Sequence, residues 1–258
     1  MGTYPCVVSA AATAISCDDV TSPARFVIAG TPRSGSHWLV SALNAHPDIA
    51  CTKDEILDDP YLKDHPDFAA DPWAGIQALW QRGCAARKTA GFKVFYFHCW
   101  DYYHEHRPIW SRLGADEGLR VLFLTRANLL ELALSWMKAR LTHQWSIKDA
   151  AARIEVPPVE VDAAELSRMF DHIEAGVARM EAFFCTQAQL RVTYEDLFDD
   201  TASRLNEIQD FLGVARRPLT GRFAKQETRP PHEAIRNFDA LQRTFSGTRY
   251  AGFFEWHS

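Results

Sequence analysis

The 258-residue chain carries no excess of basic residues. Twenty-eight Lys and Arg stand against thirty-three Asp and Glu, so the formal net charge is −5. A surface of that sign is not built to follow a nucleic-acid backbone, and any anion site must be a local concentration of cations. Six cysteines are present, but none forms C-x-x-C and no Cys/His group has metal-binding spacing. This points away from a metal centre and toward reduced thiols in a cytoplasmic protein. No apolar run is long enough to cross a bilayer. The small-residue start, Val7 to Ala12, has no basic segment before it and predicts no signal peptide. Internal repeats and low-complexity segments are lacking too. What remains is an ordinary globular composition, 47% hydrophobic and 24% charged. It predicts a lead-in over 1–24 and a single domain over 25–258.

Strand and helix signals alternate along that domain. Arg25 to Gly30, Gly91 to Phe97, Leu119 to Thr125 and Leu190 to Tyr194 read as buried strands. Ser36 to Ala45, Asn128 to Arg140, Ala163 to Thr186 and Thr201 to Leu212 read as helices, the last stopped by Gly213. Residues 51–88 read as partly helical, 99–117 as irregular and aromatic, and the tail from Arg216 as mostly loop. Strands separated by helices predict an α/β fold with a parallel sheet, whose ligands sit beyond the strand C-termini.

The first such strand end carries the strongest motif, Gly30-Thr-Pro-Arg-Ser-Gly35-Ser-His-Trp38. A glycine-bearing turn feeding a helix gathers backbone N–H groups at the positive end of the helix dipole, which suits phosphate or sulfate. Gly30 and Gly35 have the spacing of a P-loop, yet Ser36-His37 follows where that loop has Lys and Ser/Thr. Arg33 supplies the cation instead, inside the turn. The pattern fits a phosphate-like anion without the pair of residues that holds Mg²⁺–ATP. A second group is Arg126, closing a buried strand, with Ser135 nine residues later. Together they are placed to hold a second phosphate well separated from the first.

Thr31-Pro-Arg-Ser-Gly-Ser-His-Trp38 resembles the 5′-phosphosulfate loop of sulfotransferases that use 3′-phosphoadenosine 5′-phosphosulfate (PAPS). Leu122-Phe-Leu-Thr-Arg-Ala-Asn to Ser135-Trp136 resembles their 3′-phosphate segment, as found in bacterial carbohydrate and lipid sulfotransferases. Further matches are His46-Pro-Asp-Ile49, Asp54-Glu55-Ile56, Gly91-Phe-Lys93, Val192-Thr-Tyr-Glu-Asp-Leu197 with Phe211-Leu-Gly-Val214, Lys225-Gln-Glu-Thr-Arg229 and Ile235-Arg-Asn-Phe-Asp239. The resemblance runs from about residue 25 to residue 254 and implies a three-layer, P-loop NTPase-like fold with a central parallel sheet flanked by helices. It implies transfer of a sulfuryl group from PAPS to an acceptor hydroxyl, with no metal. Arg33 would contact the phosphosulfate, and the N–H groups of Ser34, Gly35, Ser36 and His37 would cradle it, His37 standing where a hydroxyl is usual. Trp38 and Tyr194 would adjoin adenine. Arg126 and Ser135, with Lys225 or Arg229, would hold the 3′-phosphate. Lys93 is placed to reach the sulfuryl group. Two bases are open: Glu55, after the first helix, and His98, after the Gly91-Phe-Lys93 strand. The acceptor is a glycan, a glycolipid or a small natural product, and Trp73, Trp80, Trp100, Tyr102, Tyr103, Trp110 and Trp145 are candidates to line its site. The alternatives are an ATP-dependent P-loop kinase, disfavoured because the third strand ends in Thr125-Arg126 rather than an acid, and a non-catalytic nucleotide-binding protein.

Overall fold

The computed structural model describes residues 24–100, 107–225 and 227–255; the lead-in reading over residues 1–23 lies outside them. In chain order the elements are β1 (Ala24–Gly30), α1 (Ser36–Leu43), β2 (Ile49–Cys51), α2 (Asp59–Asp64), α3 (Pro66–Ala70), α4 (Pro72–Ala86), β3 (Thr89–Phe95), α5 (Tyr96–Trp100), α6 (Arg107–Gly114) and β4 (Leu119–Thr125). There follow α7 (Leu129–Thr142), α8 (Ala163–Phe183), β5 (Ala188–Thr193), α9 (Tyr194–Asp199), α10 (Thr201–Leu212), α11 (Pro231–Ala234) and α12 (Phe238–Phe245). The strands form one parallel sheet in the order β2-β3-β1-β4-β5.

Period-two alternation within the buried strands divides the core between the two faces of this sheet. Phe26, Ile28, Leu122 and Leu124 point to one side, where they meet Leu39, Leu43 and Leu212 of α1 and α10. Val27, Ala29, Val121 and Phe123 point to the other, where Ile76, Leu113, Leu132, Phe170 and Phe184 cover them. The result is the helix–sheet–helix sandwich expected of strands that are buried on both faces. β1 is central, flanked by β3 and β4. β2 and β3 are added on one side of it and β4 and β5 on the other, so the loop after β1 opens at the switch point where α/β sheets hold ligands.

Three local expectations are corrected. The second long strand is Thr89–Phe95, two residues earlier than its apolar run suggested, because Tyr96 and Phe97 turn into α5. A short strand, β2, was absent from the sequence reading; three residues give too little pattern to show themselves. The 99–117 segment contains α6. The tail is mostly loop, as expected, yet α12 and the 3₁₀ turn Ala251–Phe254 bring Phe238, Leu241, Phe245, Tyr250 and Phe254 into the core. Phe245 and Phe254 stack with ring centroids 4.9 Å apart. The aromatic expectation also changes, since Trp80 and Trp110 are only 4% exposed and belong to the core rather than to an acceptor wall.

Truncating the tail's packing tests its place in the core. Phe254→Ala should cost about 3–5 kcal/mol of unfolding free energy, read as a shift in the urea midpoint at constant slope. A loss below about 1 kcal/mol would mean that the tail is a surface appendage.

Candidate active site

The first loop is shaped by contacts that exclude side chains. Gly30 has φ +146, and a Cβ there would lie 2.0 Å from the Leu124 carbonyl oxygen, so only glycine lets β1 end so close to β4. The Thr31 N–H then donates to that same carbonyl at 3.3 Å. Arg33, at φ 65, and Gly35, at φ 83, both take left-handed conformations, and the Ser34 hydroxyl donates to the Thr31 carbonyl at 2.6 Å. The turn therefore closes on itself and hands the chain to α1. Helix α1 has no side-chain cap and no acid in its first turn. Its first N–H groups have no intrahelical partner, so the helix opens onto a site suited to an anion.

That site is the mouth of a cleft. Arg33, Gly35, Ser36, His37 and Trp38 line it, with Arg126 just past β4, Ser135 of α7, Tyr194 at the start of α9, and Lys225 and Arg229 from the tail. The structure thus brings both motifs into one cleft, but not at the separation expected. The Arg33 Nε donates to the Ser135 hydroxyl at 3.1 Å. Helix α7 starts only at Leu129, so the Arg126–Ser135 interval is not one continuous helical rise. Asn128 caps α7, accepting from the N–H groups of Leu130 and Glu131. Arg33 also donates to the Trp145 carbonyl. Burial, then the neighbouring Arg126 charge, lowers its pKa to about 10, which leaves it a cation at neutral pH.

Carboxylates that the sequence reading did not single out complete the cleft. Arg126, its side chain only 4% exposed, lies over the Tyr194 ring at 4.4 Å and pairs with Glu131. Its Nε is 3.8 Å from Glu195, whose carboxylate accepts from the N–H of Ala127 at 2.9 Å. Glu131 is also 3.7 Å from Lys225. Arg229 holds Glu227 through two bonds of 3.1 and 2.8 Å, and Lys138 stands 3.5 Å away. Burial alone would raise the Glu227 pKa; the bonds from Arg229 and the Lys138 charge outweigh it and bring the carboxyl down to about 2. Glu195 directly follows Tyr194, and Glu131 lies five residues beyond Arg126, but no local pattern tells such acids from solvated ones.

Trp38 packs beside Phe198, centroids 5.1 Å apart, with Gly221 pressed against its indole. Tyr194 sits 4.6 Å from the same Phe198, and burial raises its phenol pKa. Beside the cleft, Lys93 is fully buried and donates to Glu55 at 2.5 Å. Glu55 lies 3.6 Å from the Nε2 of His37. Burial and then the Lys93 charge outweigh Glu55 and hold the His37 pKa down at about 4, so at neutral pH this contact joins a neutral ring to a carboxylate and is no ion pair. His98 is placed differently. It is 0% exposed, its Nδ1 accepts from the Phe95 N–H at 3.0 Å, and its other nitrogen therefore carries the proton that faces Asp58. Among the described residues, no group of three His, Cys, Asp or Glu is arranged to hold a metal, and no helix is long and apolar enough to cross a membrane.

A glycine-bearing turn at the switch strand of a parallel sheet, opening on a cationic cleft, defines an α/β protein of the P-loop NTPase-like class. A family model for the sulfotransferase domain matches residues 23–244, and the chain belongs to the sulfotransferase family. It is 32% identical over 242 residues to Nodulation protein H of Rhizobium tropici, a match covering 91% of this chain and 94% of the relative. It is 29% identical over 238 residues to Nodulation protein H of Rhizobium meliloti (strain 1021), covering 90% and 96%. A sulfotransferase structure from Alicyclobacillus acidocaldarius superposes with a TM-score of 0.51 at 14% identity, covering 93% of this chain and 98% of that one. This last likeness is one of fold.

The low His37 pKa has a direct consequence for stability. Between pH 6.5 and about 4 the unfolded chain takes up a proton at His37 that the folded protein refuses, so stability falls as pH falls through this window. His37→Gln should flatten that part of the stability–pH curve, measured by urea unfolding at pH 7, 5.5 and 4.5. Parallel curves for the two proteins would overturn the assignment.

Proposed function

We propose that this enzyme transfers a sulfuryl group from PAPS to an acceptor hydroxyl on a glycan, a glycolipid or a small natural product. One observation carries the reading: the anion-binding turn, Arg126, Ser135 and Tyr194 meet in one cleft, and a carboxylate paired with a buried lysine lies beside it. Two cationic groups on one cleft suit a nucleotide with phosphate at both ends. The first-turn N–H groups of α1 and the Arg33 guanidinium face the sulfuryl end, and Arg126, Lys225 and Ser135 take the 3′-phosphate. Trp38, Tyr194 and Phe198 supply an aromatic bed for a planar base.

The chemistry asked of these residues is positioning and charge stabilisation. The acceptor oxygen forms a bond to sulfur as the bond from sulfur to the phosphate oxygen breaks, and the hydroxyl proton leaves to a base. Glu55 is that base. It is only partly buried, stands next to His37 at the cleft, and keeps a fixed direction through the Lys93 ammonium. Arg33 meets the negative charge that builds on the departing phosphate oxygen. His98, with both ring nitrogens engaged in the interior, instead holds the Asp58 turn that follows Glu55.

A thermal-shift titration tests the donor. Adenosine 3′,5′-bisphosphate (PAP) at about a hundred times its Kd should add about 2.7 kcal/mol, a rise of about 5–10 °C for a domain of this size. Stabilisation by Mg²⁺–ATP alone would replace this reading with that of a kinase. For the base, Glu55→Gln should lower kcat by about 10²–10⁴-fold while leaving the Kd for PAP within twofold. Retained turnover in this variant would remove Glu55 from the mechanism.

A further inference from the structure

Two carboxylates press on Arg126, and they are held in different ways. Glu195 is tied to the backbone, accepting from the N–H of Ala127 at 2.9 Å and of Asn128 at 3.4 Å. Those bonds keep it in place whatever else approaches the guanidinium. Glu131 has side-chain partners, Arg126 in direct contact and Lys225 at 3.7 Å. It is the third residue of α7, and its own N–H is satisfied by Asn128, so the cap of the helix does not depend on its carboxylate. At 23% side-chain exposure it has solvent to turn into, and at a helix N-terminus a released carboxylate keeps the favourable helix dipole. Glu131 is therefore the exchangeable partner of the two, and it lies on the same guanidinium and ammonium that a 3′-phosphate requires.

We propose that Glu131 is an internal competitor of the 3′-phosphate: it occupies Arg126 and Lys225 when the phosphate is away, yields to it on binding, and returns to speed departure of the bisphosphate product. This rests on the PAPS reading and adds to it a residue that sets affinity and residence time. The physical basis is population shift. A ligand that must first displace a resident partner binds more weakly by the fraction of molecules in which that partner has moved aside. A ligand without a 3′-phosphate never meets Glu131, so the effect is selective for one end of the nucleotide.

The experiment compares wild type with Glu131→Gln, by calorimetry and stopped-flow, using PAP and adenosine 5′-monophosphate as probes. Removing the charge should tighten PAP binding by about three- to tenfold, mostly as a slower koff, and leave the monophosphate within twofold. Glu131→Ser, a helix-compatible residue in the first turn, serves as a second variant and should act in the same direction. Weaker PAP binding in both variants would show that Glu131 orients Arg126 rather than competing for it, and would overturn the proposal. Equal shifts for both nucleotides would also overturn it, because they mark a general structural effect. A wild-type protein that binds no PAP overturns the donor reading itself, whereas a wild type that binds PAP, with variants that do not differ from it, overturns the competition by Glu131 alone.

Discussion

The site depends on one close approach, the Gly30 backbone against the Leu124 carbonyl where β1 and β4 end side by side. With no Cβ at position 30 the central strand runs right up to its neighbour and turns sharply. Thr31 then anchors the turn to the same carbonyl. The loop after β1 and the Arg126 end of β4 therefore open side by side, at the point where the strand order switches sides. Every later contact in the cleft builds on that seam. Arg33 meets Ser135 because α7 springs from β4, and Tyr194 reaches Arg126 because β5 is the next strand over.

Charge balance is the second organising constraint. The cleft collects Arg33, Arg126, Lys225 and Arg229; burial first, and then the neighbouring Arg126 charge, lowers the Arg33 pKa. Glu131, Glu195 and Glu227 offset the repulsion among these cations. His37 takes no part in it as a charge, since burial and Lys93 keep its ring neutral. The arrangement is a cluster of basic groups with acids set directly against them, which hold them in position and moderate their field. The same logic accounts for Lys93, a fully buried ammonium set directly against Glu55.

Much of the fold was legible because its strands are buried on both faces. Arg25 to Gly30 and Leu119 to Thr125 hold the apolar runs Phe26 to Ala29 and Val121 to Leu124, and in the structure they are β1 and β4 almost to the residue. Thr201 to Leu212 showed both its periodicity and the glycine that ends it, and Gly213 indeed takes the left-handed conformation. The illegible parts have physical reasons as specific. β2 owes its existence to pairing with β3. The tail carries Phe238, Leu241 and Phe245 at helical spacing among basic and polar residues, a pattern that forms a helix because the core offers it a face. The carboxylates around Arg126 had no signal at all, since an acid's partner depends on which strand ends beside it.

The sequence by itself determined the class of fold and the glycine-bearing turn after the first strand, because these follow from local rules: hydrophobic period, glycine at positive φ, helix caps and dipoles. It also carried enough ordered motifs to mark the family. Only the tertiary structure decided which groups share a cleft. It set Arg33 against Ser135, closed Lys93 onto Glu55, turned His98 inward to Asp58, and laid Glu131 and Glu195 on Arg126. These pairings join residues from separate strands and helices, and their geometry is set by sheet order and helix packing, quantities that no local stretch of sequence contains.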